Sequence, residues 1–99
     1  MQDFRDLKVW QKSHQLTLQI YQHTLNFPKK ELYGITSQIR RASSSIPTKI
    51  AEGCGREGGR DFARFLQFAV GTATEVVYLI LLCKDIQLLS LQIYEDLQI

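Results

Sequence analysis

The residues that most often do chemistry in proteins are few in this chain. His14 and His23 are nine residues apart on one predicted helix, which turns their side chains to opposite faces and prevents them from sharing a metal ion. His14 falls on an apolar face, where a packed histidine is the simpler interpretation. Cys54 and Cys83 lie on separate predicted helices, and no base can be identified beside Cys54 to activate its thiol. The sequence therefore predicts no enzyme and no bound metal or cofactor.

One carboxylate stands out by its surroundings. Glu75 is the only acidic residue over positions 62–84, inside an otherwise apolar helical pattern. A carboxylate in such a place needs a cationic or hydrogen-bonding partner, and Arg40 and Arg41 are the candidates. Glu52 could complete the same network. The partner could belong to a neighbouring copy or to the same chain, where the pair would fix helix register, and both alternatives remain open.

The middle of the chain is basic. The formal charge at pH 7 is +2, but residues 29–64 carry +4 and residues 65–99 carry −3. The cations that could neutralise phosphates are Lys29, Lys30, Arg40, Lys49, Arg56, Arg60 and Arg64. No aromatic residues interleave them as a single-strand stacking platform requires, and no helix-turn-helix signal places a recognition helix. Nucleic-acid binding is therefore expected to be backbone-directed, salt-sensitive and weakly specific, unless the segment is only a solvated face.

Four predicted helices must position these residues, over about 6–24, 31–56 and 60–87, with a fourth of about two and a half turns in the tail at 90–99. Asp3 is expected to cap the first helix, and Ser90 the short fourth one. Pro47 predicts a kink in the second helix rather than its end, because the apolar spacing resumes at Ile50. Gly53 lies on the core side of that helix, where its missing side chain would let another helix approach closely.

The second and third helices have more than one side to cover. The second carries an apolar row through Leu32, Ile35, Ile39, Ala42, Ile46 and Ile50 and, opposite, a row of small or hydrogen-bonding residues. The third carries one heptad row through Phe62, Leu66, Ala69, Ala73, Val76, Ile80 and Cys83, and a second through Phe65, Phe68, Thr72, Glu75, Leu79, Leu82 and Ile86. A chain of 99 residues has limited means of burying both. We therefore predict a homo-oligomer whose ion-pair network or subunit interface contains Arg41, Glu52, Glu75, Phe68, Leu79 and Leu82.

Positions 65–83 are about long enough to cross a bilayer. Glu75 at their centre would cost about 3 kcal/mol in lipid, and the preceding helices need a protein partner, so no membrane span is expected. The N-terminus has no apolar run of the signal-peptide type. We expect a cytoplasmic protein with reduced thiols.

Five segments carry a family resemblance: FRDLKVWQ (4–11), FPKKELYG (27–34), QIRRASSSI (38–46), KIAEGCGR (49–56) and FLQFAVGTATE (65–75). Together they resemble the bacterial four-helix-bundle family, also called the 23S ribosomal RNA intervening-sequence protein family, which includes the accessory protein of diversity-generating retroelements. Arg40, Arg41, Glu52 and Glu75 match the family's charged positions, and Gly53 and Gly71 its small ones. Lys49 stands where the family commonly has asparagine.

The resemblance implies an all-α fold in a single domain, residues 1–99: an antiparallel up-and-down four-helix bundle, here with a short fourth helix, that assembles as a homopentamer. In the retroelement branch the assembly has a basic surface that binds nucleic acid and a reverse transcriptase. We therefore expect a non-enzymatic, weakly specific nucleic-acid-binding accessory protein that binds RNA or DNA and a protein partner. The alternative is a protein-interaction or self-assembly scaffold without nucleic-acid binding.

Overall fold

The structure, a computed structural model, describes residues 3–56 and 58–98. Regular structure in these residues is helical throughout, with α1 at Lys8–Thr24, α2 at Ser37–Cys54, α3 at Gly59–Asp85 and α4 at Leu91–Asp96. Short 3-10 turns at Phe4–Asp6 and Lys29–Glu31 and a wider helical turn at Leu32–Thr36 lie in the connections. The predictions of an all-α chain and of four helices packed together are confirmed.

One hydrophobic core joins the four helices. The predicted apolar row of α2 is buried at Ile35, Ile39, Ala42, Ile46 and Ile50. The first predicted heptad row of α3 meets it through Ala69, Val76, Ile80 and Cys83. Leu16 and Ile20 of α1 and Leu97, after α4, complete the cluster. Both the 3.6-residue period of α2 and the heptad row of α3 therefore identified the core sides correctly.

One predicted helix start and one predicted helix cap are wrong. α2 begins at Ser37 rather than near residue 31, because Gly34 has non-helical backbone angles (φ −108°, ψ −114°), and Leu32 before it stays 45% exposed. Asp3 caps the Phe4–Asp6 turn by accepting the backbone N–H of Arg5 at 2.9 Å, whereas α1 starts only after an extended residue, Leu7. Short polar segments can hydrogen-bond to the free backbone groups at a helix end. The period of the apolar residues alone therefore does not fix the residue at which a helix begins.

Pro47 is buried inside α2, and the helix continues past it to Cys54, as predicted. Its ring nitrogen carries no hydrogen, so the carbonyl four residues earlier, at Ser43, lacks its usual helical donor. The hydroxyl of Thr17 on α1 lies 3.0 Å from that carbonyl oxygen and can donate to it, although the Ser13 carbonyl is also 3.0 Å away. Since Ser43 is fully buried, this bond both satisfies α2 and ties it to α1.

Replacing Thr17 with valine is expected to lower the free energy of unfolding by about 1–3 kcal/mol, because the buried Ser43 carbonyl then has no donor. Pro47→Ala restores a backbone N–H four residues after Ser43. In that background Thr17→Val is expected to cost clearly less, and urea denaturation of the four proteins of the cycle measures the difference. An equal cost in both backgrounds would mean that Thr17 does not compensate for the proline.

α1 is apolar on two sides, and only one of them is covered. Its buried side runs through Ser13, Leu16, Thr17, Ile20 and Thr24. Leu18, Tyr21 and Leu25, which the helical period places on the other side, are exposed. His14 is half-buried and stacks on Trp10 with 4.8 Å between ring centroids, which agrees with the prediction of a packed histidine.

Among the described helices, α3 alone is long and apolar enough to cross a membrane. An 18-residue window of it has a mean hydropathy of 1.7, and 22% of that window is buried. Its core side packs against the other helices, while Glu75 lies on its exposed side. That α3 does not span a membrane stays a prediction.

Candidate nucleic-acid interface

The seven predicted cations do not form one patch. Lys29 and Lys30 lie in the turn before α2, whereas Lys49, Arg56, Arg60 and Arg64 lie around the junction of α2 and α3. Along the α2 axis, the start of the helix at Ser37 lies about 18 Å from Lys49, the nearest cation of the second group, at 1.5 Å per residue. The candidate interface is therefore narrower than the basic segment of the sequence.

Arg40 belongs to neither group. Its Nε donates to the Thr24 hydroxyl at 2.8 Å, and its guanidinium carbon lies 5.0 Å from the centroid of the Tyr21 ring. Both partners are on α1, so Arg40 links α2 to α1 within the chain. No salt bridge joins it to Glu75 within the described residues, so its predicted role as the intrachain partner of Glu75 is corrected, whereas its role as a phosphate contact stays a prediction.

Three cations surround one aromatic ring at the α2–α3 junction. The Phe65 centroid lies 5.9 Å from Lys49 Nζ, 5.5 Å from Arg56 Cζ and 5.6 Å from Arg64 Cζ. Lys49 Nζ is also 5.1 Å from the ring of Phe68, one turn further along α3. All four distances are within the range of cation–π attraction. We call these five residues the phenylalanine–cation cluster.

The cluster overturns one expectation from the sequence. Aromatic residues do interleave the cations, because Phe65 and Phe68 project from α3 between side chains of α2 and the following turn. Phe68 is 58% exposed, and Phe65 is half-buried. The spacing of the two phenylalanines already put them on one side of α3, but fifteen residues separate Lys49 from Phe65 in the chain, so their contact could not be read from the sequence.

Gly53 brings the two helices together at the cluster. A Cβ atom at Gly53 would lie 2.7 Å from Cβ of Phe65, closer than two such atoms can pack. The close approach predicted for Gly53 is therefore confirmed. Lys49 precedes Gly53 by one turn of α2, and Arg56 lies in the turn that follows the helix; both side chains come within 6 Å of the Phe65 ring.

The electrostatics of the junction leave two arginines without a carboxylate partner among the described residues. Lys49 Nζ lies 3.6 Å from Glu52 Oε2, and an Arg64 guanidinium nitrogen lies 3.6 Å from Asp61 Oδ1. Exposed pairs of this kind contribute about 0–1 kcal/mol and exchange readily with other anions. Arg56 and Arg60 make no salt bridge within residues 3–56 and 58–98, so they can meet a phosphate directly.

The predicted network around Glu75 is absent within the described part of the chain. Glu75 is exposed and has no cationic partner within 4 Å there. Arg41 does not pair with Glu75 in these residues either, and its guanidinium donates to the Ser37 hydroxyl at 3.0 Å. Arg41, Glu75 and Phe68 nevertheless line one shallow pocket of about 390 Å³ between α2 and α3. A partner for Glu75 on a neighbouring copy stays a prediction.

The predicted subunit interface also needs one correction. Leu79 is only 2% exposed and belongs to the core of the single chain, because it lies three residues after Val76 and four before Cys83, both fully buried. Leu82 is half-buried against the same core. Phe68, from the same heptad row, remains on the surface.

A larger apolar opening lies on another side of the molecule. A groove of about 520 Å³ runs between α1 and α3 and is lined mainly by apolar side chains, among them Val9, Leu16, Leu66, Ala69 and Val70. Val9 and Val70 are both exposed. Sequence reasoning missed this groove because it assigned Leu66 and Ala69 to a continuous core seam and gave Val70 no role.

The thiol of Cys83, in the core, is a weak nucleophile at neutral pH. Burial raises the pKa of the Cys83 thiol to about 11, with a smaller contribution from the nearby Glu31 carboxylate. The thiol is therefore protonated at neutral pH, and a protonated thiol is a weak nucleophile. In residues 3–56 and 58–98, no group of three histidine, cysteine or acidic side chains is placed to hold a metal ion.

A family model described as "23S rRNA-intervening sequence protein" matches residues 5–99, which include all four helices and the phenylalanine–cation cluster. No curated protein matches the chain.

Proposed function

The chain belongs to the 23S rRNA-intervening sequence protein family, and we propose that it acts there as a non-enzymatic, weakly specific nucleic-acid-binding accessory protein. The observation that carries the proposal is the phenylalanine–cation cluster, in which Lys49, Arg56 and Arg64 lie within 6 Å of one ring beside an exposed second ring. Cations attract the phosphate backbone without regard to sequence. Arg60 adds a further positive charge next to the cluster.

Assembly would strengthen this binding. The contacts of Thr17 with Ser43 and of Arg40 with Thr24 support an antiparallel up-and-down arrangement of α1 and α2, since the residue numbers run in opposite directions. The open groove between α1 and α3 supports a homo-oligomer, of which the pentamer implied by the family resemblance is one form. Each copy then repeats the cluster, and several weak sites on one assembly bind a long strand more tightly than one.

The proposed partners are accordingly further copies of this protein, RNA or DNA, and a protein of the reverse-transcriptase kind. We expect these interactions to take place in the cytoplasm. Residues of this chain support the first two kinds of partner. The third rests on the resemblance to the retroelement accessory protein alone.

Nucleic-acid binding of this kind is expected to weaken steeply with salt. If each copy neutralises three phosphates of a single strand, the affinity should fall about twentyfold between 50 and 200 mM salt, from a slope near −0.7 per phosphate. Fluorescence anisotropy of a labelled oligonucleotide measures the slope. An affinity that does not change over this range would rule out a binding mode dominated by phosphates.

A second candidate function is a self-assembly or protein-interaction scaffold. It is favoured by the apolar groove and by the exposed Leu18, Tyr21 and Leu25 on α1, which serve contact with protein and not with phosphate. An intact oligomer that retains neither RNA nor DNA at 50 mM salt would establish this function in place of the first.

A further inference from the structure

The cluster contains an exposed aromatic ring, which a patch that binds only phosphates does not need. The ring therefore indicates a further ligand group besides phosphate. Phe68 is 58% exposed, and Lys49 Nζ lies 5.1 Å from its ring. Phe65 is half-buried, and three cations already lie against its ring, so it holds the cations in place. Within the described residues, Lys49 is the one cation that lies against the Phe68 ring, and more than half of the Phe68 surface is exposed.

We infer that the cluster binds single-stranded nucleic acid, with an unpaired base stacked on Phe68 and the neighbouring phosphates held by Lys49, Arg56 and Arg64. This inference rests on the proposed function and adds the class of ligand to it. It also assigns different tasks to the two phenylalanines, since Phe65 positions the cations and Phe68 contacts the base.

The chemistry of the cluster favours an unpaired strand over a duplex. In a duplex the faces of the bases are stacked on one another, so a surface side chain meets mainly phosphates and the edges of the bases in the grooves. A single strand can turn a base outward onto an aromatic ring, and each such contact is worth about 1–3 kcal/mol whatever the base. Weak sequence preference is therefore compatible with a clear preference for unpaired strands.

The rim of the cluster fits a phosphate chain. Arg56 and Arg64 lie on opposite segments of the chain, one after α2 and the other in α3, and both are within 6 Å of the Phe65 ring. Arg64 and Lys49 can leave their carboxylate partners, Asp61 and Glu52, because both pairs are at least partly exposed and their charged atoms are 3.6 Å apart. A strand crossing the cluster thus meets cations next to an aromatic platform.

The test compares a labelled oligouridine of 12 residues with a duplex of equal length in 50 mM salt, using the full chain and its Phe68→Leu variant. Wild-type protein is expected to bind the single strand at least tenfold more tightly than the duplex. Phe68→Leu is expected to weaken single-strand binding about tenfold, the equivalent of about 1.4 kcal/mol of lost stacking, and to leave duplex binding unchanged. Phe68→Trp should restore single-strand binding.

Tyr78→Leu is the matched control, because Tyr78 is the other strongly exposed aromatic residue of α3 and lies outside the cluster. It is expected to leave both affinities unchanged. Equal binding of both oligonucleotides, with no effect of Phe68→Leu, would overturn this inference and leave the proposed function intact. Absence of binding to either oligonucleotide would overturn both.

Two further results would also overturn the inference. If Phe68→Leu lowers the molecular mass of the assembly in light scattering, Phe68 is a subunit contact and not a stacking platform. If an acidic peptide of equal length binds as tightly as the oligouridine and competes with it, the site recognises an acidic protein segment.

Discussion

Replacing Arg56, Arg60 and Arg64 together with glutamate is expected to abolish retention on RNA and DNA at 50 mM salt. Arg56 and Arg64 belong to the phenylalanine–cation cluster, and Arg60 lies between them in the chain. Each lost phosphate contact is worth about 1 kcal/mol, so three losses weaken binding by more than about a hundredfold, and the new carboxylates add repulsion. All three side chains are exposed, so circular dichroism should show an unchanged helix content and melting temperature.

A pair of double variants separates the cluster from net charge. Arg56→Glu with Arg60→Glu changes the formal charge by the same amount as Lys29→Glu with Lys30→Glu, but only the first pair lies at the α2–α3 junction. The first double variant should lose most of the affinity, and the second should lose little beyond the long-range effect of charge. Equal losses in the two would contradict a localised site.

Leu79→Ala is expected to lower the free energy of unfolding by about 3 kcal/mol, the middle of the range for truncating a buried leucine. Leu79 packs in the core with Val76, Ile80 and Cys83 and is 2% exposed. In a domain of this size each kcal/mol lowers the melting temperature by about 4–8 °C, so the variant should melt more than about 10 °C below the wild type. Differential scanning calorimetry measures both quantities.

Leu91→Ala is the matched control for this loss, because it removes the same atoms from an exposed leucine of α4. It should cost less than about 0.5 kcal/mol, as surface substitutions usually do. The placement of Leu79 in the core would be contradicted if Leu79→Ala left the free energy of unfolding unchanged and instead dissociated an assembly. That outcome would return Leu79 to the subunit interface that the heptad pattern predicted.

The core could be predicted from the sequence because it depends on helical periods alone. Ile39, Ile46 and Ile50 recur on one side of α2, and Val76, Ile80 and Cys83 on one side of α3, so the period identifies which side of each helix is buried. The limits of α2 could not be predicted in the same way. Gly34 takes non-helical backbone angles within an apolar pattern that continues unbroken through it.

The candidate site was harder to predict because its contacts cross between helices. The sequence indicated that Pro47 would free the Ser43 carbonyl, but not that Thr17 of α1 would donate to it. It marked Gly53 as a point of close approach, but did not identify Phe65 as the residue approached. Such pairs depend on how far one helix slides along another, and a period within each helix says nothing about that distance.

The most direct test is to locate the residues at which a single strand of nucleic acid contacts the protein. Amide chemical shifts of the full chain, followed by NMR as an oligouridine of 12 residues is added at 50 mM salt, locate the contact residue by residue. The account predicts the largest changes at Lys49, Arg56, Arg64, Phe65 and Phe68, and small ones at Lys29 and Lys30. Largest changes at the turn before α2, or on the α1 side, would contradict it.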